Sequence, residues 1–215
     1  MPDPSALGCD YACGLFDLVA GLNVGEGEIA HFPRIWVDDA RIAHWRSELG
    51  TFNGPVLGLI ASGNPRRMDD WIRTVPPERL AALKRLGNVR WINLSTDPRP
   101  EVEASIRLLN MADPTPRFSN FADTAAVMSL VDGVIAIDSA GAHLAGALGR
   151  PLWVLKPTMD DWRWQIGDTL SPWWPEARVF AATSAGEWHD VIPRLTDDVE
   201  DYLRSKYPGG GEFER

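Results

Sequence analysis

The stretch Val134–Pro157, VIAIDSAGAHLAGALGRPLWVLKP, constrains this chain more than any other. Val134–Ile137 is a short apolar run rich in β-branched residues and bounded by Gly133 and Asp138, the pattern of a buried strand. Asp138 and Ser139 follow it, both suited to capping a helix, and Ala140–Leu148 has helix-forming composition. Gly149 supplies a stop, and Pro151–Leu155 reads as a second buried strand. Strands joined through a helix run parallel, so this unit commits the chain to an α/β sheet.

The turn inside that unit has a chemical consequence. Small residues at Ser139, Ala140, Gly141 and Ala142 let a ligand approach the backbone of the helix's first turn. The free N–H groups and the positive end of the helix dipole there favour an anion such as a diphosphate. His143 lies in the same turn and adds a donor. The same small residues also suit a helix packed tightly on its sheet, and the pattern alone leaves both readings open.

The flanking chain repeats the alternation. Val56–Ala61 reads as a strand, with SGNPRR directly at its end; Arg66, Arg67 and Arg73 bring positive charge to that edge. Pro77–Leu86 is expected to form an amphipathic helix that ends before Gly87, Val89–Leu94 a strand and Glu101–Asn110 a helix. A short extended piece is expected near Arg117–Phe118, then a helix capped by Asp123 and running to about Val131. A strand around Arg178–Phe180 and a final helix from about Ala185 to Leu203 complete the series. Earlier in the chain, Asp38–Leu49 places Ile42, Trp45 and Leu49 on one helical stripe, with Gly50 as its stop.

This predicts a Rossmann-like three-layer α/β domain with a mostly parallel sheet over residues 51–206. An N-terminal extension with a connecting helix (1–50) precedes it, and a flexible tail (207–215) follows. Ligands of such sheets bind beyond the carboxyl ends of the strands, the edge where both SGNPRR and DSAGAH fall.

Composition narrows the partners. A net charge of −9 and an isoelectric point near 4.9 argue against a nucleic-acid backbone as the main partner. Cys9 and Cys13 are the only cysteines, and with four scattered histidines they complete no zinc pattern, so two free thiols and no metal are expected. No apolar run reaches the roughly 18 residues of a membrane span, and no signal-peptide pattern opens the chain, which predicts a cytoplasmic location.

The ordered motifs resemble a known family. FADTAAVMSLVDGVIAIDSAGAHLAGALGRPLWVLKP (Phe121–Pro157), then DWRW (Asp161–Trp164) and SPWWP (Ser171–Pro175), is similar to the C-terminal part of bacterial GT-B glycosyltransferases. The type is family 9, heptosyltransferase-like, often found behind tetratricopeptide repeats. GNPRRMDDWIRT (Gly63–Thr74) resembles the same family's GNP-x-H-x-x-D-x-x-R-S segment, with Arg67 in place of its usual histidine and Asp69 in place of its usual asparagine.

The resemblance implies the donor half of a GT-B enzyme, with a nucleoside-diphosphate sugar as substrate and no separate cofactor. Asp138, Ser139, Ala140 and Gly141 would lie against the donor diphosphate with His143 beside them. Gly63 and Asn64 would line the facing strand edge, Arg67 would neutralise phosphate, and Arg73 would pair with phosphate oxygens. In that family an N-terminal Rossmann domain supplies the acceptor site and the base. The stretch before Val56 is too short to hold such a domain, so no catalytic residue is carried over. The implied partner is an acceptor-domain protein, or a second copy of this chain on the face a second domain covers in GT-B enzymes. The alternative is a non-catalytic module that keeps the fold and binds a nucleotide or a partner.

Ten tryptophans are the unusual feature of the composition. Trp162, Trp164, Trp173 and Trp174 could stack on a base or sugar near the donor, or staple a long loop to the domain; stapling is the favoured reading, and Trp162 stays a candidate contact. The pair Asp160–Asp161 reads as solvated loop.

Overall fold

Five strands form one sheet in the order β2-β1-β3-β4-β5, every pair parallel: β1 (Val56–Ile60), β2 (Arg90–Asn93), β3 (Gly133–Ile137), β4 (Leu152–Lys156) and β5 (Ala177–Ala181). The computed structural model describes residues 8, 13–14, 17–23, 35–157, 163–164, 171, 173–174 and 176–208. Its helices are α1 (Asp17–Gly21), α2 (Asp39–Leu49), α3 (Asp70–Arg73), α4 (Pro100–Leu109), α5 (Phe121–Met128), α6 (Ala140–Ala147) and α7 (Val191–Lys206), with 3-10 helices at Pro77–Leu86 and Thr115–Arg117. None of the described helices is long and apolar enough to cross a membrane.

Every residue of β3 and β4 is buried, so both faces of the sheet's centre are covered. The covering helices fall into two groups. The 3-10 helix Pro77–Leu86 packs with α4 and α7, while α2 packs with α5 and α5 with α6. β5, at the edge, exposes Arg178 and Ala181 and buries Ala177, Val179 and Phe180.

The expected helix over Pro77–Leu86 is present, but its type differs. Leu80, Leu83 and Leu86 are each fully buried, a spacing of three that the three-residue turn of a 3-10 helix lines up in one row. In an α-helix the same three positions would fan out over about 120° of its surface. The last helix begins at Val191 rather than near Ala185, after a turn through 184–190. The segment near Arg117 is a 3-10 turn, not an extended piece. The PGGGEFER tail lies outside the described residues beyond position 208, as does Cys9; Cys13 is a free, exposed thiol.

The α2 helix matches its predicted span, with Asp38 capping Ala40 and Gly50 at φ 70° ending it. It is joined to the domain core through a carboxylate. Trp45 is buried, and its indole N–H donates to Asp123 Oδ1 at 3.0 Å; Arg41 reaches the same oxygen at 2.5 Å. Asp123 is not itself the cap of α5. Asn120 caps that helix by accepting from the Ala122 N–H, and Asp123 reaches back to the N–H groups of Asn120 and Ser119.

Burial alone would raise the Asp123 pKa. The Trp45 indole, the Ser119 N–H, the Arg41 guanidinium and the Asn120 N–H together overcome it and hold the carboxyl at about 2. A carboxyl held below its unfolded value stabilises the fold above the unfolded pKa, and that contribution is lost as pH falls from about 4 toward 2. Asp123→Ala should therefore cost about 2–4 kcal/mol at neutral pH, read from urea unfolding. Asp123→Asn should flatten the acid limb of the stability profile between those pH values.

Candidate functional site

β1 and β3 are neighbours at the centre of the sheet, but the chain leaves them in opposite directions, toward β2 and toward β4. No crossover then fills the space beyond their carboxyl ends, the switch point at which open α/β sheets hold ligands. A cleft of about 900 Å³ opens there. Its walls are the segment after β1, the segment after β2 and the turn from β3 into α6.

Of the ten residues singled out from the sequence, nine line this cleft: Gly63, Asn64, Arg67, Arg73, Asp138, Ser139, Ala140, Gly141 and His143. They come from two segments about seventy residues apart, brought together by the β1–β3 pairing. Trp162 lies outside the described residues, as do Asp160 and Asp161.

Arg73, on the last residue of α3, is only 8% exposed, and its guanidinium stands 4.0 Å from Asp138 Oδ2. The other oxygen of Asp138 accepts the Trp164 indole N–H at 2.9 Å. His143 Nε2 lies 3.9 Å from that same oxygen. Because an indole nitrogen can only donate, the 3.1 Å contact from Trp174 Nε1 makes His143 Nδ1 an acceptor. A neutral His143 then carries its proton on Nε2, the nitrogen toward Asp138.

Ser139 occupies the cap position of α6, yet its hydroxyl caps nothing. The Oγ atoms of Ser139 and Ser62 and Oδ2 of Asp97 are buried and have no hydrogen-bond partner among the described residues. All three residues line the cleft. Buried polar atoms are nearly always paired, and these three exceptions fall in one cleft.

Gly141 answers the packing question directly. A Cβ there would stand 2.3 Å from Cδ1 of Ile60, so the absence of a side chain lets α6 sit against the last residue of β1. The packing reading of these small residues therefore holds at Gly141. Asn64 has its side chain turned back on its own loop, accepting from the Arg66 N–H at 3.0 Å.

Arg67 is held by a neighbour. Its guanidinium makes two parallel bonds to the Asp69 carboxylate, at 2.8 and 2.7 Å. The bonds to the partner raise the pKa of Arg67 and lower that of Asp69. Arg67 is exposed and Asp69 half-buried, so solvent screening limits what the pair contributes to stability. Arg67 and Asp69, the two departures from the resembled pattern named above, are thus bonded to each other.

The cleft carries positive charge on an acidic protein. Arg66, Arg67, Arg73 and Arg163 line it against Asp97 and Asp138, whereas the whole chain has a net charge of −9. Asp97 and Arg163 were not singled out from the sequence. Asp97 follows β2 at the same carboxyl edge, so the edge rule could have found it; Arg163 enters only through the tertiary path of its loop. Among the described residues no group of His, Cys, Asp and Glu side chains could hold a metal ion.

The tryptophan-rich loop is stapled down where it is described. Trp164 is fully buried and stacks on His143 with ring centres 5.0 Å apart. Trp174 lies against Gly146 of α6, where a Cβ would meet its ring at 2.5 Å.

No protein-family model matches the chain. It is 26% identical over 174 residues to Protein FlbA of Caulobacter vibrioides, covering 78% of this chain and 29% of that protein. Among solved structures, the E. coli ADP-heptose lipopolysaccharide heptosyltransferase II superposes with a TM-score of 0.61 at 16% identity, over 81% of this chain and 54% of that one. The glycosyl transferase family 9 protein of Veillonella parvula superposes with a TM-score of 0.52 at 17% identity, over 69% and 42%. The chain therefore has a glycosyltransferase-type Rossmann-like fold and spans about half the length of those structures, and less of FlbA.

Trp164→Ala should lower stability by about 3–5 kcal/mol, as removal of a fully buried aromatic does. Thermal or urea unfolding measures this; a tryptophan serving only to stack on a ligand would leave unfolding unchanged.

Proposed function

We propose that the cleft binds a nucleoside-diphosphate sugar and that the chain is the donor-binding half of a glycosyltransferase. The observation that carries this reading is the buried Arg73, aligned with the first turn of α6 at the β1–β3 switch point in a cleft rich in arginine. A guanidinium offers planar paired donors to phosphate oxygens, and a helix N-terminus adds backbone donors and a favourable dipole. The open hydroxyl of Ser139 is a further donor at the same turn. The fold shared with the heptosyltransferase structure supports a nucleotide-sugar donor.

In this reading the bond from the sugar's anomeric carbon to the diphosphate oxygen breaks as the acceptor oxygen bonds to that carbon. The departing diphosphate gains negative charge, which Arg73 and the α6 dipole offset without a metal ion. The acceptor and the base that takes its proton belong to a separate acceptor domain facing the cleft. Such a reaction, fed by a nucleotide sugar, takes place in the cytoplasm.

A thermal-shift screen with ADP, UDP, GDP, CMP and their sugar conjugates tests the reading. Ligand at about 100 times its dissociation constant should add about 2.7 kcal/mol, a shift of several degrees. Arg73→Ala should weaken nucleoside-diphosphate binding by about 1.5–3 kcal/mol, measured calorimetrically. A cooperatively melting protein that responds to none of these ligands would instead be a non-catalytic module that keeps the fold and binds a partner.

A further inference from the structure

Behind the cleft wall lies a polar cluster in which one arginine closes a loop. Arg99, immediately before α4, donates from Nη1 to Asp70 Oδ2 at 2.6 Å, and from Nη2 to Thr74 Oγ1 at 2.9 Å and to the Gly63 carbonyl at 3.3 Å. Gly63 and Thr74 are the two ends of the segment that carries Arg73. Asp70 is buried, its Oδ1 has no partner among the described residues, and a Cβ on Gly63 would stand 2.9 Å from that oxygen. The buried carboxylate thus has Arg99 as its one described cationic partner, and its Oδ2 also accepts from the Thr74 hydroxyl at 3.3 Å.

Asp70 and Arg73 belong to the same short helix, three residues apart, a spacing at which a carboxylate and a guanidinium on one helix can meet. Arg73 instead extends toward Asp138, in the cleft wall. A buried carboxylate without a counter-charge draws the nearest available cation strongly. Arg67 also feels the Asp70 charge but is already bonded to Asp69, so with Arg99 removed the cation left to answer it is Arg73, on the same short helix.

We infer that Arg99 is a positioning residue: by satisfying the Asp70 carboxylate it leaves the Arg73 guanidinium directed into the cleft. This rests on the donor-site reading above. Arg99 touches no ligand in this arrangement and acts only through Arg73. The two partners of the Arg99–Asp70 pair therefore have opposite significance. Loss of Arg99 creates a competitor for Arg73, whereas loss of the Asp70 charge removes that competitor.

The test titrates ADP, UDP and GDP into the wild-type chain and carries the tightest binder through variants shown to be folded. Arg99→Gln should weaken binding about tenfold or more, while Asp70→Asn, which breaks the same ion pair from the other side, should stay within about threefold of wild type. The Asp70→Asn, Arg99→Gln double variant should recover to that same range, and Arg99→Gln should have less than about a twofold effect in an Arg73→Ala background.

A pair that only braces the loop predicts equal losses from Arg99→Gln and Asp70→Asn, and that result would overturn the inference. So would wild-type affinity in folded Arg99→Gln, or full additivity with Arg73→Ala. Should Arg99→Gln fail to fold, Asp70→Asn and the double variant decide: retained affinity supports the inference and a tenfold loss removes it. Absence of nucleotide binding by the wild-type chain defeats the donor-site reading and this inference together. Binding that weakens in Arg73→Ala but not in Arg99→Gln defeats this inference alone.

Discussion

The pairing of β1 with β3 is the constraint on which everything at the cleft depends. In register, Leu57 faces Gly133 and Ile60 faces Ala136, so the chain segments that leave Ile60 and Ile137 emerge side by side. One departs toward β2 and the other toward β4, and the cleft opens in the space between them. The same pairing brings Ile60 under α6, where Gly141 lets the helix settle on the strand. The helix N-terminus, the arginine-bearing loop and the cleft floor therefore share one geometric origin.

Carboxylates do much of the remaining positioning, each by gathering donors from distant parts of the chain. Asp123 joins α2 to α5 through Trp45, Arg41 and two backbone N–H groups. Asp138 collects Trp164 and faces Arg73 and His143. Asp70 holds Arg99. A buried charge costs least where donors reach it, so these carboxylates favour the arrangement of segments that brings their donors together. The Arg67–Asp69 pair is of another kind: local, screened by solvent, and of small energetic weight.

The β3-turn-α6-β4 unit was legible because its determinants are local. A buried strand shows as an apolar run, a turn as a cluster of small and capping residues, and a helix stop as a glycine, here Gly149 at φ 63°. The strand-edge rule put SGNPRR and DSAGAH at one end of the sheet, the resemblance named the individual residues there, and nine of the ten candidates line the cleft. The type of the Pro77–Leu86 helix was less legible, because α and 3-10 helices differ by a fraction of a residue per turn; the fully buried row Leu80, Leu83 and Leu86 favours the tighter one. Arg99 left no signal, since its partners lie 25 to 36 residues away and nothing in an isolated RPE segment points toward them. The Arg67–Asp69 bond was within reach, two residues apart and of opposite charge.

By itself the sequence determined the α/β class, the direction of the strands and the edge at which charged and small residues collect, because periodicity and turn chemistry act over a few residues. Tertiary structure decided which of those residues face the cleft, which are spent on one another and which hold the rest in place. Those outcomes depend on burial and on charges meeting across long stretches of chain. In a low-dielectric interior the strongest partner for a buried charge is the nearest one in space, and the order of the residues does not record which that is.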